Sequence, residues 1–364
     1  MILNRRQILA TATAAVMTAA SSARARDMAG FDAALQAAFD GAETPALGGM
    51  VVGPDGAIWT GERGVRQAGG ATVGSDDLWH LGSNTKAMTA ALYGRLVDMG
   101  QASWTATLGE ALPDMPMDAA WTDMPVKQVM AHRGGLSDAT ALGQAWLMTA
   151  RADPASLPDQ RRTLATTMLA SPPAGTPGTF GYANSNYILI GAIIERITGG
   201  SWEDAMRTEL FEPLGIKTGG FGAPQGDQPW GHSGGRSIDP SGPVTDNPAA
   251  LGPAGTAHIS LQDYGRFLRV FLSDGAGWLK PETLAVLIQP VGEGQPPYAG
   301  GWITPPGQPW AQGVCLTHDG SNTLWYASTW VAPGIGKAFV AVSNDAQRGR
   351  PACQALIPGL IQAI

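Results

Sequence analysis

Ser83 and Lys86 stand three residues apart in Gly82-Ser83-Asn84-Thr85-Lys86, at the mouth of a helically spaced apolar run. At that spacing the hydroxyl and the ammonium share a helix face one turn apart, so the amine can reach the hydroxyl and activate it as a nucleophile. The helix N-terminus adds backbone N–H groups and a positive dipole end, which suit a developing oxyanion. Lysine occurs only at Lys86, Lys127, Lys217, Lys280 and Lys337, and no other lysine has a serine three residues before it. The bland alternative for this motif is an N-cap serine with a solvated lysine. Tyr182-Ala183-Asn184 follows the loop Gly178–Gly181 and leads into a second helical run. A tyrosine beside a lysine ammonium ionises more readily and can act as a general base.

A rival nucleophile is Ser233, in Gly231-His232-Ser233-Gly234-Gly235, which matches G-x-S-x-G. With Asp274 and His318 downstream, the order Ser, Asp, His of an α/β-hydrolase is satisfied. That elbow needs a strand before it and a helix after it. Gln225–Trp230 is rich in Gly and Pro, and the run from Arg236 to Pro243 cannot propagate a helix, so a surface loop is the favoured reading.

The elements that must hold these groups read as follows. Residues 28–41 are helical by the spacing of Phe31, Leu35, Ala38 and Phe39, and two β-like runs, Leu47–Val52 and Ala57–Val65, flank an Asp55-Gly56 turn. Met88, Leu92, Leu96 and Met99 give a helix from Asn84 to Met99, stopped by Gly100, and Ile188, Gly191, Ile194 and Ile197 give one over Ser185–Thr198. Further helices are expected at Trp202–Phe211 and Leu261–Leu272. Gly313–Thr317, Thr323–Val331 and Lys337–Ser343 read as antiparallel strands, and Ala352–Ile364 as a helix interrupted at Pro358-Gly359. One sheet built from both chain ends, with a helical insert between them, fits this order.

Ser-x-x-Lys followed by Tyr-x-Asn resembles the serine β-lactamase and penicillin-binding-protein superfamily, in its class C-like branch of β-lactamases, DD-carboxypeptidases, D-aminopeptidases and lactamase-fold esterases. The resemblance runs from about Ala46 to Ser343 and includes Pro253-Ala254-Gly255, Tyr298-Ala299-Gly300-Gly301-Trp302 and a His-x-x-Gly-Leu-like turn at His132, itself read as a structural histidine. It implies an α/β (α+β) fold of β-lactamase/transpeptidase-like type, an antiparallel sheet flanked by helices. Residues 26–83 and 250–364 would form the α/β subdomain and residues 84–249 the helix-rich insert. The superfamily's third motif has two claimants. Lys217-Thr218-Gly219 spells it but lacks flanking strands, whereas His318-Asp319-Gly320-Ser321 ends one strand and precedes another, so context selects His318.

The resemblance then implies an acyl-enzyme on Ser83, activated by Lys86 and Tyr182 with the choice of base open because their titrations are coupled. Asn184 would bond Lys86 or the substrate, and the N–H groups of Ser83 and Ser321 would form the oxyanion hole. Asp319 and Gly320 would meet substrate, while Trp302 and Trp325 either line a cleft or pack in the core. Histidine is mostly neutral near pH 7, so His318 anchors a carboxylate less well than lysine. That moves the expected substrate from penicillins toward small esters, amides and D-residue peptides. Readings left open are a class C-like β-lactamase or DD-carboxypeptidase, a catalytically silent protein binding peptidoglycan fragments, and the Ser233 hydrolase.

Composition supports a folded enzyme. Across 364 residues, 44% are apolar and 15% charged, too apolar and too weakly charged for intrinsic disorder, and the net charge of −7 excludes nucleic acid as an expected partner. No apolar run suits a membrane span. Arg5-Arg6, a short apolar stretch and Ala23-Arg24-Ala25 read as an export signal over residues 1–25, of twin-arginine type, giving a periplasmic or secreted location. In such a compartment Cys315 and Cys353 could form a disulfide, or stay as two buried thiols. No metal or dinucleotide motif is present, so no cofactor is expected.

Overall fold

The computed structural model describes residues 27–364; the proposed signal segment lies outside them. Helix α1 spans residues 27–40 and is followed by the hairpin β1 (Ala46–Gly53) and β2 (Gly56–Gly64). Helices α2 (Thr85–Asp98), α3 (Leu157–Leu169) and α4 (Asn184–Thr198) belong to the helix-rich middle. Helix α5 (Leu261–Leu268), strands β3 (Leu316–Ser321), β4 (Tyr326–Ala332) and β5 (Lys337–Ser343), and helix α6 (Ala346–Gln362) complete the chain. The strands form one antiparallel sheet in the order β2-β1-β5-β4-β3. Both chain ends therefore build it, and β3 is left as the edge next to the insert.

Strand periodicity divides the core. Phe339 and Ala341 of β5 face α1 and α6, packing with Phe31, Leu35, Leu356 and Leu360. Their neighbours Ala338, Val340 and Val342 face the other way, with Met50, Tyr264 and Phe267. Alternation with period two is what places a buried strand between two helical layers. Helix α2 is buried almost all round from Thr85 to Leu96, with Ala87, Ala90, Ala91 and Gly94 admitting close neighbours. The insert is tied in by Arg161 of α3, which is fully buried and pairs with Glu195 of α4 and Glu203 while donating to the Ala250 carbonyl at 3.1 Å.

Two expected helices need correction, whereas Ser233 and Lys217 lie in the irregular segments the sequence favours for them and the cysteine question closes on free thiols. Helix α6 continues through Pro351 and Pro358 instead of breaking, because both prolines lie on its exposed side while Ala352, Cys353, Leu356 and Leu360 anchor the buried side. The helix at Trp202 changes to a π-helical turn over Arg207–Phe211. Cys315 and Cys353 are free thiols in separate apolar clusters, Cys315 beside Ala311 and Ala332, Cys353 beneath the sheet, so no disulfide joins them. Ser233 lies in a two-residue hairpin with Arg236–Ser237, closed by left-handed Gly234 and Gly235; no strand–turn–helix elbow exists there. The backbone N–H groups of Lys217 and Thr218 donate to Asp263 at 2.7 and 2.8 Å, which makes that segment a structural turn away from the main sheet.

Candidate active site

A short 3-10 turn, Gly82–Asn84, delivers Ser83 to the start of α2. Gly82 has φ of +51°, and a Cβ there would lie 2.3 Å from the backbone nitrogen of Ser321. Gly320 is required from the other side, since its Cβ would lie 2.0 Å from the Leu81 carbonyl oxygen. Two glycines thus let the turn that carries Ser83 touch the edge strand β3. Thr317 exchanges both of its backbone hydrogen bonds with Ile303, outside the sheet. Because partners alternate along an antiparallel strand, Ser321 also turns its N–H off that open edge, beside Ser83.

Lys86 is completely buried, and its Nζ donates to Ser83 Oγ at 3.0 Å, Asn184 Oδ1 at 2.9 Å and the Ala254 carbonyl at 2.7 Å. Two of these acceptors are fixed. A neutral amine keeps its two N–H bonds on Asn184 and Ala254 and turns its lone pair to Ser83. Desolvation brings the Lys86 pKa down to about 7, partly opposed by the charge of Asp138. Tyr182 donates its hydroxyl to Ser83 Oγ at 2.8 Å. Desolvation pushes the phenol well above its ordinary value, with the Ser83 hydrogen bond acting the other way, so Tyr182 stays protonated at neutral pH.

Asp138, a residue that sequence reasoning missed, organises the other end of the network. Ala183 occupies the N-cap of α4 and has no side chain that can cap it. Asp138 supplies that cap, accepting from the Asn184 and Ser185 N–H groups at 3.1 and 2.8 Å, from Ser185 Oγ at 2.8 Å and from Asn184 Nδ2 at 3.2 Å. The last contact orients the amide so that Oδ1 faces Lys86. His132 has φ of +59° and lies beneath Tyr182, the ring centroids 4.4 Å apart; its Nδ1 accepts from Asn186 Nδ2 at 3.0 Å, which supports the structural role expected for it.

His318 is buried, its Nδ1–H donating to the Asp319 carbonyl at 2.6 Å and its Nε2 accepting from the Tyr298 hydroxyl at 3.0 Å. Desolvation, with the Lys86 charge second, lowers its pKa to about 3. It is therefore a neutral, fully engaged group. Asp319 lines a cavity of about 520 Å³ with Tyr182, His318, Phe180, Tyr298 and Trp330, and its Oδ2 accepts from Tyr326 at 2.6 Å. Gly320 is absent from that lining and serves the close approach already described. Trp302 and Trp325 do not line the cleft: both are fully buried, Trp302 against Phe271 and Trp325 stacked on His80.

These groups converge as a hydroxyl, an amine of lowered pKa, a protonated phenol and two backbone donors, the equipment for acyl transfer. The Beta-lactamase family model matches residues 5–358. Penicillin-binding protein 4 of Amycolatopsis lactamdurans is 29% identical over 299 residues, 76% of this chain and 74% of that protein. An unguisins hydrolase of Aspergillus campestris is 27% identical over 335 residues, 86% of this chain but only 60% of the hydrolase. In fold, the chain matches the D-amino acid amidase of Ochrobactrum anthropi with a TM-score of 0.72 at 18% identity, over 92% of this chain and 98% of the amidase. It matches the octameric penicillin-binding protein homologue of Pyrococcus abyssi with a TM-score of 0.73 at 19% identity, over 91% of this chain and 76% of the homologue. The chain belongs to the Beta-lactamase family, serine hydrolases built on this fold.

Proposed function

We propose that this chain is an exported serine hydrolase that cleaves small esters, amides or D-residue peptides through an acyl-enzyme on Ser83. The observation that carries the reading is Ser83 Oγ held between Lys86 Nζ at 3.0 Å and the Tyr182 hydroxyl at 2.8 Å. Neutral Lys86 takes the Ser83 proton as Oγ attacks the carbonyl carbon. The Ser83 and Ser321 N–H groups receive the oxyanion, and Tyr182 relays a proton to the departing amine or alcohol. Water, deprotonated by the same pair, then releases the acid. The electrostatics favour Lys86 as the base and Tyr182 as the relay, since only Lys86 titrates near neutrality.

Charge supports the proposed substrate class. The cavity beside His318 is mainly apolar and aromatic, its lining includes no Lys or Arg, and Asp319 is its charged member. A penicillin-type carboxylate finds no cationic partner there, whereas a neutral or amine-bearing substrate does not need one. The amidase among the structural neighbours and the hydrolase among the relatives support this direction. Export is supported by the Arg5-Arg6 and Ala23-Arg24-Ala25 pattern. The test is turnover of p-nitrophenyl butyrate, D-amino acid amides, D-Ala-D-Ala peptides and nitrocefin. Esters or D-residue amides should lead, Ser83→Ala should abolish turnover and Ser233→Ala should retain it; the opposite serine dependence would overturn the proposal.

A further inference from the structure

The two oxyanion donors come from segments far apart in the chain, the turn after Leu78–His80 and the end of β3, with no covalent link to hold their separation. We infer that Asp246, a loop residue of the insert, is the positioning residue that holds both. Its Oδ2 lies 3.0 Å from His80 Nε2. His80 Nδ1 accepts the Gly82 N–H at 3.1 Å, so the ring is protonated on Nε2 and donates to Asp246. On the other arm, Asp246 Oδ1 accepts from Asn322 Nδ2 at 2.7 Å. Asn322 directly follows Ser321, and its Oδ1 accepts from the Leu324 and Trp325 N–H groups at 3.2 and 3.1 Å, fixing the hairpin that ends β3. Trp325 closes the ring by stacking on His80, centroids 5.6 Å apart.

The anchor is itself anchored. Arg151 donates to the Asp246 carbonyl from Nε at 3.2 Å and Nη2 at 2.7 Å, and the Asn247 N–H donates to Asp246 Oδ1 at 2.7 Å. Asn247 Nδ2 reaches the Gly255 carbonyl at 3.0 Å, and Gly255 packs on Gly82. One carboxylate thus sets the spacing of two donors, touching neither them nor Ser83, Lys86 or Tyr182. His80 and Asn322 are buried, so each arm works out of water, where hydrogen bonds hold geometry best.

This inference rests on Ser83 being acylated, and its test reads a different quantity. In the full-length active enzyme, Asp246→Ala should lower kcat for p-nitrophenyl butyrate by roughly 10- to 100-fold, with KM within about twofold, because the hole binds the oxyanion of the transition state more strongly than a ground-state carbonyl. Affinity for butylboronic acid, whose tetrahedral adduct occupies that hole, should fall by a similar factor. The carbonyl stretch of the acyl-enzyme should move to higher frequency as its donors drift. Asp246→Asn keeps one acceptor oxygen and should fall between wild type and Asp246→Ala; it also serves if Asp246→Ala does not fold. An unshifted carbonyl band, or a loss confined to KM, overturns the inference. Wild type that is never acylated at Ser83 would instead refute the proposed function.

Discussion

Asp138→Asn offers a perturbation whose effect can be worked from the site. The Asp138 charge reaches Lys86 through one amide, with 2.9 Å from Nζ to Asn184 Oδ1 and 3.2 Å from Asn184 Nδ2 to Asp138 Oδ2. Adding about 2.3 Å across the amide puts the charges roughly 7 Å apart at the bend of that path. At an effective dielectric near 20 their attraction is about 2.4 kcal/mol, or roughly 1.7 pKa units, and at twice that dielectric roughly 0.9. Removing the charge therefore lowers the Lys86 pKa by about one unit or somewhat more. In the proposed mechanism the base is the neutral amine, so activity should rise as pH climbs through the Lys86 pKa, about 7 in the wild type. One unit below that, wild-type kcat/KM should be about a tenth of its plateau. In Asp138→Asn the ascending limb should sit near pH ~6, measured as kcat/KM for p-nitrophenyl butyrate from pH 5 to 9 at fixed ionic strength. The lost acceptor at the α4 cap should also cost about 1–3 kcal/mol of stability and lower the plateau. A lower plateau with an unmoved limb, or a limb moved to higher pH, would refute the charge coupling and leave Asp138 a cap only.

Two further predictions concern the scaffold. Gly320→Ala forces a Cβ to within 2.0 Å of the Leu81 oxygen and 2.7 Å of the Ser83 nitrogen, so β3 must withdraw from the nucleophile turn; kcat should drop by roughly 10²-fold, and a kcat within twofold of wild type would contradict the close-approach role. Arg161→Met leaves Glu195 and Glu203 buried without their cation, and urea unfolding should show a loss of about 3–5 kcal/mol. A change under 1 kcal/mol would show that the pairing contributes little.

The parts legible in sequence were those written within one or two helical turns. Ser83 with Lys86, and Tyr182 with Asn184, carry their geometry in local spacing, and the alternating strands 316–343 carry their pairing in turn residues and β-branched runs. The unread parts depend on segments that meet only in three dimensions. Asp138 caps a helix that begins 46 residues later, and Asp246 joins His80 to Asn322. Trp302 and Trp325 have the same apolar character whether they line a cleft or fill a core, and burial resolved them toward the core. Pro358 reads as a helix stop, yet the apolar face of α6 outweighs one missing solvent-side hydrogen bond.

The most direct measurement is the intact mass of active enzyme after exposure to a fluorophosphonate, followed by peptide mapping. One adduct per chain is expected, on Ser83, absent in Ser83→Ala and kept in Ser233→Ala. An enzyme that turns over esters yet is unlabelled, or labelled at any other residue, would contradict it.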